Sequence, residues 1–286
     1  MTIRLKSHLI LGTVFLSGLL LLGTAGRSVL GRALLDIEAE GSRRDGERVL
    51  GELADLEARI GSTASDWGSW DDTYQFVTGR DSTYPARNVD VPTLLNLQLN
   101  LLALFDNEGR LAYATFLPRD GKALQSVAPA LGRRLQKVAL HRLAAGGWPA
   151  GGLLPNGDLP LLVSAHPVLR SNRKGPAAGM IVVGRFLDRP ELDRLGAKMG
   201  LSLSLRPVGP ALAPDFRRAV EALSGEVRYY SHPLDAREMG IYAPVSDLAG
   251  RPAAVLRATA PRGLHVFMAA LVRRGALWAV GLGGPL

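Results

Sequence analysis

The sequence predicts an α+β protein, with a long N-terminal helix followed by an antiparallel sheet and flanking helices. Three observations carry this expectation. A helix-period pattern runs unbroken from Arg27 towards Trp70. Short strand-like runs bounded by Gly, Pro, Asp and Asn fill most of the remainder. Finally, 47% of the 286 residues are apolar, ample for a packed core.

The chain opens on an uncharged apolar run from Leu9 to Ala25, near the lower limit of about 17 residues for crossing a bilayer. Arg4 and Lys6 precede it, as expected for a cytoplasmic N-terminus, although Arg27 and Arg32 follow closely and weaken the asymmetry. Small residues around Ala25 would suit a signal peptidase. The helical pattern continues past that point instead of opening into a loop, so residues 1–26 read as an uncleaved transmembrane anchor.

Residues 27–80 read as one long helix. Val49, Leu53, Leu56, Ile60, Thr63, Trp67 and Trp70 alternate spacings of four and three, a heptad seam. Gly41 and Gly46 weaken the helix by about 1 kcal/mol each relative to Ala. The seam suits either of two uses: packing on its own domain, or a parallel homodimer.

Residues 81–262 hold the sheet. Asp106-Asn107-Glu108-Gly109 is a hairpin turn between apolar runs. Pro129 to Ala145 carries Leu131, Leu135, Val138 and Leu143 at helical spacing. The runs from Leu159 to Leu169 and from Met180 to Leu187 read as strands joined by a polar loop. Short helices follow at Pro190 to Met199 and Pro214 to Leu223. Glu226 to His232, Met239 to Val245 and Ala253 to Thr259 complete the strands. Gly151-Gly152 reads as loop.

Composition excludes several functions. The net charge is +8, but the basic residues are scattered in pairs such as Arg133-Arg134, with no long basic run, so no nucleic-acid partner is expected. Absence of cysteine removes disulfides, thiolate zinc sites and cysteine nucleophiles. The five histidines show no metal-ligand spacing, and His166, before Pro167 in a strand, suits a structural hydrogen bond. No phosphate-binding loop or nucleophile elbow occurs, so no cofactor, no metal and no enzymatic activity are expected.

The densest chemistry lies in Asp66-Trp67-Gly68-Ser69-Trp70-Asp71-Asp72-Thr73-Tyr74-Gln75-Phe76-Val77. This segment gathers three acids and four aromatics in a chain only 6% aromatic. On a continuous helix Trp67, Trp70 and Tyr74 share a face, with Asp71 within reach of an indole N–H. The segment suits a packed helix end docking on a sheet, or a ligand pocket. Arg185, ending a strand, could bind an anionic group bidentately or stand as a surface charge. The candidate ligand residues are therefore Trp67, Trp70, Asp71, Tyr74 and Arg185.

That segment resembles the hallmark of CHASE domains of the fourth class, extracytoplasmic sensor domains of bacterial and archaeal signalling proteins. Three further matches follow in order: Tyr84 with Asn88-Val89, then Leu102 to Tyr113, then Ala165 to Asn172 with Gly175 to Arg185. The resemblance spans Arg27 to Arg262. It implies a PAS-like or Cache-like sheet, an unknown small-molecule ligand, and a location at the bacterial inner membrane with the main domain outside.

The resemblance also implies a second membrane helix after Pro261-Arg262 and a cytoplasmic output domain. Here residues 263–286 place Arg273-Arg274 inside the apolar tail, at a cost of roughly 5–7 kcal/mol for insertion. No output module follows, so the expectation is a sensor served by a separate cytoplasmic output protein, or a truncated one. Two alternatives stay open: an envelope interaction protein dimerising through the seam, and a membrane-tethered hydrolase using the acids of the hallmark segment.

Overall fold

The computed structural model describes residues 3–145, 150–157, 159–223 and 227–263. The expected C-terminal tail, residues 264–286, lies outside them. Helix α1 (Ile3–Gly68) is followed by three short helices, α2 (Asp71–Val77), α3 (Tyr84–Asn88) and α4 (Val91–Asn96). Then come β1 (Leu101–Asp106), β2 (Leu111–Phe116), α5 (Pro129–Ala145), β3 (Ala150–Leu154), β4 (Leu161–Val168) and β5 (Gly179–Phe186). The chain continues through α6 (Arg189–Met199), β6 (Ser202–Pro207), α7 (Pro214–Ala222), β7 (Tyr230–Pro233), β8 (Glu238–Ser246) and β9 (Pro252–Pro261). Among the described residues no helix is long and apolar enough to cross a membrane. The expected anchor includes Leu9, Ile10, Leu16, Leu19 and Leu20, whose side chains lie outside the described ones.

Five strands form an antiparallel sheet in the order β2-β1-β5-β4-β3, the PAS-like arrangement anticipated. The β1–β2 hairpin turns where expected: Gly109 adopts φ 73° and donates its N–H to the Asp106 carbonyl at 3.1 Å. A second sheet has the order β6-β9-β8-β7. Strands β3 and β6 were not anticipated, and Gly151-Gly152 lies within β3 instead of a loop.

The chain divides into two compact units: Gly46–Tyr230 with Ile241–Thr259, and Met1–Asp45 with Ser231–Gly240 and Ala260–Leu286. In the larger unit, strand alternation assigns each face of the five-stranded sheet a partner. Leu101, Ala103, Phe105, Leu161, Val163, Ala165, Met180 and Val182 pack with Leu131, Leu135 and Ala139 of α5. The opposite face, built on Leu102, Leu104, Leu162, Ile181 and Val183, is equally buried. The end of α1 meets it at Gly61, over Ser164 and His166, and at Gly68, over Pro167 and Ile181, and α1 residues Val49, Leu56, Ile60, Ala64 and Trp67 are at most 5% exposed.

Of the heptad seam, Val49, Leu56, Ile60 and Trp67 are buried within their own chain, whereas Leu53, Thr63 and Trp70 are half-buried. Burial of a large apolar side chain is worth roughly 1.5–3 kcal/mol, which favours the packed use of those four.

The smaller unit is organised around Arg262. Its Nε and Nη2 donate to the two carboxylate oxygens of Glu38 at 3.0 and 2.8 Å, and its Nη1 to the Asp235 carbonyl at 2.8 Å. Both side chains of the ion pair are about nine-tenths buried, at 9% and 11% exposure. The pair joins the end of β9 to α1 by a bidentate contact.

The seating of α1 predicts that Leu56→Ala costs about 2–5 kcal/mol of stability, because a cavity opens between helix and sheet. Denaturant unfolding of the purified chain measures it.

Candidate functional site

The long helix does not continue through the hallmark segment. It stops at Gly68, and Trp70 adopts extended geometry (φ −89°, ψ 136°) before α2 begins. The cause is tertiary. A Cβ at Gly68 would lie 2.9 Å from the Pro167 carbonyl oxygen and 3.1 Å from Ile181 Cγ2, so only glycine lets the helix end settle on the sheet. The Gly68 carbonyl, left without an intrahelical donor, accepts from Leu169 N–H at 2.7 Å.

Around this break the aromatic side chains still gather. Trp67 and Trp70 stack with ring centroids 5.0 Å apart. Tyr74 lies beneath the Arg170 guanidinium at 4.6 Å. Asp71 does not meet an indole: its two oxygens accept from the Ser171 backbone N–H at 3.0 Å and hydroxyl at 2.8 Å. Those two bonds, with Arg170 nearby, hold its carboxyl below the usual aspartate value. Asp71 and Tyr74 therefore clamp the α1–α2 junction to the β4–β5 loop, beside the Trp67–Trp70 stack.

Behind them Tyr84, fully buried, accepts from the Thr73 hydroxyl at 3.0 Å and stacks on Phe76. Burial pushes its phenol up to about 12.

Arg185 stands apart from this cluster, four residues along β5 from Ile181, or about 13 Å of strand. It donates to Gln98 Oε1 at 2.6 Å and to Glu191 Oε2 at 2.9 Å. Burial pulls its guanidinium down, opposed by Glu191. Glu191 is itself pushed up by burial, but Arg194 and Arg185 outweigh that and hold it low. Arg185 is an internally paired charge instead of an open anion receptor.

A second feature lies on the same sheet face, between α1 and the β3–β4 edge. A furrow of about 530 Å³ is lined on the helix by Ala54, Glu57, Ala58, Gly61, Ser62 and Ser65, and on the strands by Gly151, Ser164 and His166. Gly151 pairs with Ser164 across the β3–β4 ladder. The Glu57 carboxylate lies over Gly151 so closely that a Cβ there would collide with Oε1. A Cβ at Gly61 would reach Ser164 Oγ at 3.3 Å and His166 Nε2 at 3.6 Å, so both polar atoms face the helix.

Ser164 is 2% exposed, and His166 Nε2 is buried without a partner, contrary to the structural hydrogen bond expected for it. Burial raises the Glu57 carboxyl and lowers the His166 imidazole. Among the described residues no group of three or more His, Cys, Asp and Glu could hold a metal.

The family model of the CHASE4 domain matches residues 53–206, covering the helix end, the clamp, the furrow and the whole five-stranded sheet. The chain belongs to the CHASE4 family. Such a CHASE4 domain is a sensory module of signal transduction. The chain is 30% identical over 227 residues to the methanogenesis regulatory histidine kinase FilI of Methanothrix harundinacea strain 6Ac. That match covers 77% of this chain and 24% of the kinase, so the chain spans about a quarter of its relative's length.

Among solved structures, it is similar to the periplasmic domain of Vibrio cholerae LuxQ, at 13% identity and a TM-score of 0.45 over 78% of this chain and 99% of that one. It is also similar to a structure named methyl-accepting chemotaxis protein X, at 14% identity and a TM-score of 0.48 over 78% and 97%.

Glu57, Gly61, Ser164 and His166 were not singled out as site residues from the sequence. Two signals were available. Ala54, Ala58, Gly61 and Ser65 form a small-residue stripe at helical spacing beside the seam. Ser164 and His166 are polar at alternate positions of an otherwise apolar strand.

The raised Glu57 carboxyl fixes the sign of a pH effect. Its folded-state value lies above the ordinary 4.5, so its contribution to stability is fully present below 4.5 and is lost as pH rises through the folded value. At neutral pH the charged, half-buried Glu57 opposes folding. Glu57→Gln should stabilise the domain at pH 7, an advantage that fades as pH falls below 4.5, measured by thermal unfolding across pH.

Proposed function

We propose that this chain is the signal-receiving part of a membrane-bound signalling protein, anchored in the cytoplasmic membrane by residues 1–26 with its CHASE4 domain outside. The observation that carries the reading is the unbroken helix α1, Ile3–Gly68, which includes the N-terminal apolar run and whose last residue rests on Pro167 and Ile181 of the sheet. A change on the β4–β5 side would reach α1 through the Asp71–Ser171 bonds and the Leu169–Gly68 bond. A ligand shifts such an equilibrium only as far as its affinities for the two arrangements differ. By analogy with the kinase relative, the output would be kinase chemistry in the cytoplasm, carried by a separate protein or by a further part of the same one.

A receiving rather than catalytic role is supported by the use made of the acids. Asp71 spends both oxygens on Ser171, and Asp72 faces Arg87 at 3.9 Å. They do not converge on a common point where one bond could be flanked by two carboxylates.

Because the chain has no cysteine, a single introduced thiol reports its location. Lys174→Cys, in the exposed β4–β5 loop, should react with a membrane-impermeant maleimide in intact cells whose outer permeability barrier has been opened. Reaction only after the cytoplasmic membrane is lysed would contradict the proposed placement.

A further inference from the structure

We propose that the furrow between α1 and the β3–β4 edge binds a small organic cation through a primary ammonium group, with Glu57 as its counter-charge and Ser164 and His166 completing its hydrogen bonds. The inference rests on the sensor reading above and names the chemistry of its ligand.

The argument begins with unsatisfied groups. Buried polar atoms are bonded in the great majority of cases, because an unpaired one forfeits its hydration for nothing in return. Here one such atom, His166 Nε2, shares a furrow with two further acceptors, the half-buried Glu57 carboxylate and the Ser164 hydroxyl. Glu57 has no hydrogen-bond or ion-pair partner among the described residues, and burial raises its carboxyl. His166 Nε2 is buried with no partner among the described residues, and the hydroxyl of the buried Ser164 faces the helix beside it. All three line the same furrow.

The identity of the missing partner follows from what these atoms offer. A carboxylate accepts only, a hydroxyl can accept, and a neutral imidazole protonated at Nδ1 accepts at Nε2. Three acceptors, one of them anionic, match the three N–H donors and the charge of a primary ammonium. An anion would be repelled by Glu57, and a neutral alcohol would leave the carboxylate uncompensated. A divalent metal would find a single carboxylate and a single imidazole, fewer protein ligands than such sites ordinarily supply. Burial also disfavours the charged form of His166, so the imidazole adds no competing positive charge.

Space is provided by the absence of side chains. Gly61, Ala54 and Ala58 on the helix and Gly151 on the strand keep about 530 Å³ open, within the ordinary range for small-molecule sites. A methyl group at Gly151 would occupy the place of the Glu57 carboxylate.

The test uses the full chain in detergent micelles, followed by thermal unfolding with methylamine, ethanolamine and putrescine as probes. Ethylene glycol, acetate and zinc chloride serve as comparisons. At least one amine should raise the midpoint saturably by several degrees while ethylene glycol and acetate do not. The apparent affinity should fall at least about tenfold in Glu57→Gln and several-fold in Ser164→Ala, as expected for loss of a charge-assisted bond. Glu57→Gln is expected to fold at least as well as the parent, so a lost response reports binding.

The proposal is overturned if no amine shifts the midpoint, if the shift survives in Glu57→Gln, or if zinc alone produces a Glu57-dependent shift. A shift from a non-amine compound that is indifferent to Glu57 would overturn the furrow assignment while leaving the sensor reading intact. Failure of Lys174→Cys to react outside the membrane would instead strike that reading itself.

Discussion

The C-terminal part of α1 is held by burial of one apolar stripe on one face of the five-stranded sheet. The helix meets this face at Gly61, over Ser164 and His166, and at Gly68, over Pro167 and Ile181, and its Leu56, Ile60, Ala64 and Trp67 are buried. A sheet with α5 on one face needs a second cover, and α1 provides part of it, with α2 against β1. The helix is thus part of the sensor's core, and its position is fixed by the same contacts that keep the sheet dry.

Two departures from close packing give this arrangement its chemistry. At one end of the face, Gly68 lets the helix terminus touch the backbone of β4, and Asp71 reaches the Ser171 loop. At the β3–β4 edge the apolar contacts give way to Glu57, Ser164 and His166, separated by glycine and alanine. The first departure ties the helix to a hairpin loop with directed hydrogen bonds. The second leaves an opening lined by polar groups that the domain does not itself satisfy. An unpaired carboxylate costs stability in the empty domain, and a function that fills the opening explains why such a cost is tolerated.

Much of the fold could be read locally. The Asp106–Gly109 turn, helix α5 and strands β4 and β5 follow from turn residues and periodicity that need no distant partner. The break at Gly68–Trp70 was invisible for the opposite reason: helical spacing runs straight through it, and what stops the helix is the Pro167 carbonyl, a hundred residues away in the chain. Strand β3 was hidden because Gly151 and Gly152 have no side chains to show alternation. The same lack of side chains is what admits Glu57. Asp71 and the aromatic residues were visible as a group, but their partners, Ser171 and Arg170, became known only when the hairpin loop was placed. Arg185 was misread as open because Glu191 follows it by six residues across a strand–helix corner, a separation that carries no periodic signal.

If α1 is core and not an appendage, its backbone must open together with the sheet. Native-state hydrogen exchange of the full chain measures this directly, by comparing amides of residues 49–67 with those of β4 and β5. The account predicts that buried-face amides of the helix exchange with the same opening free energy and denaturant dependence as those of the two strands. Exchange of the helix through a separate, lower-energy opening, with the strands still protected, would contradict it.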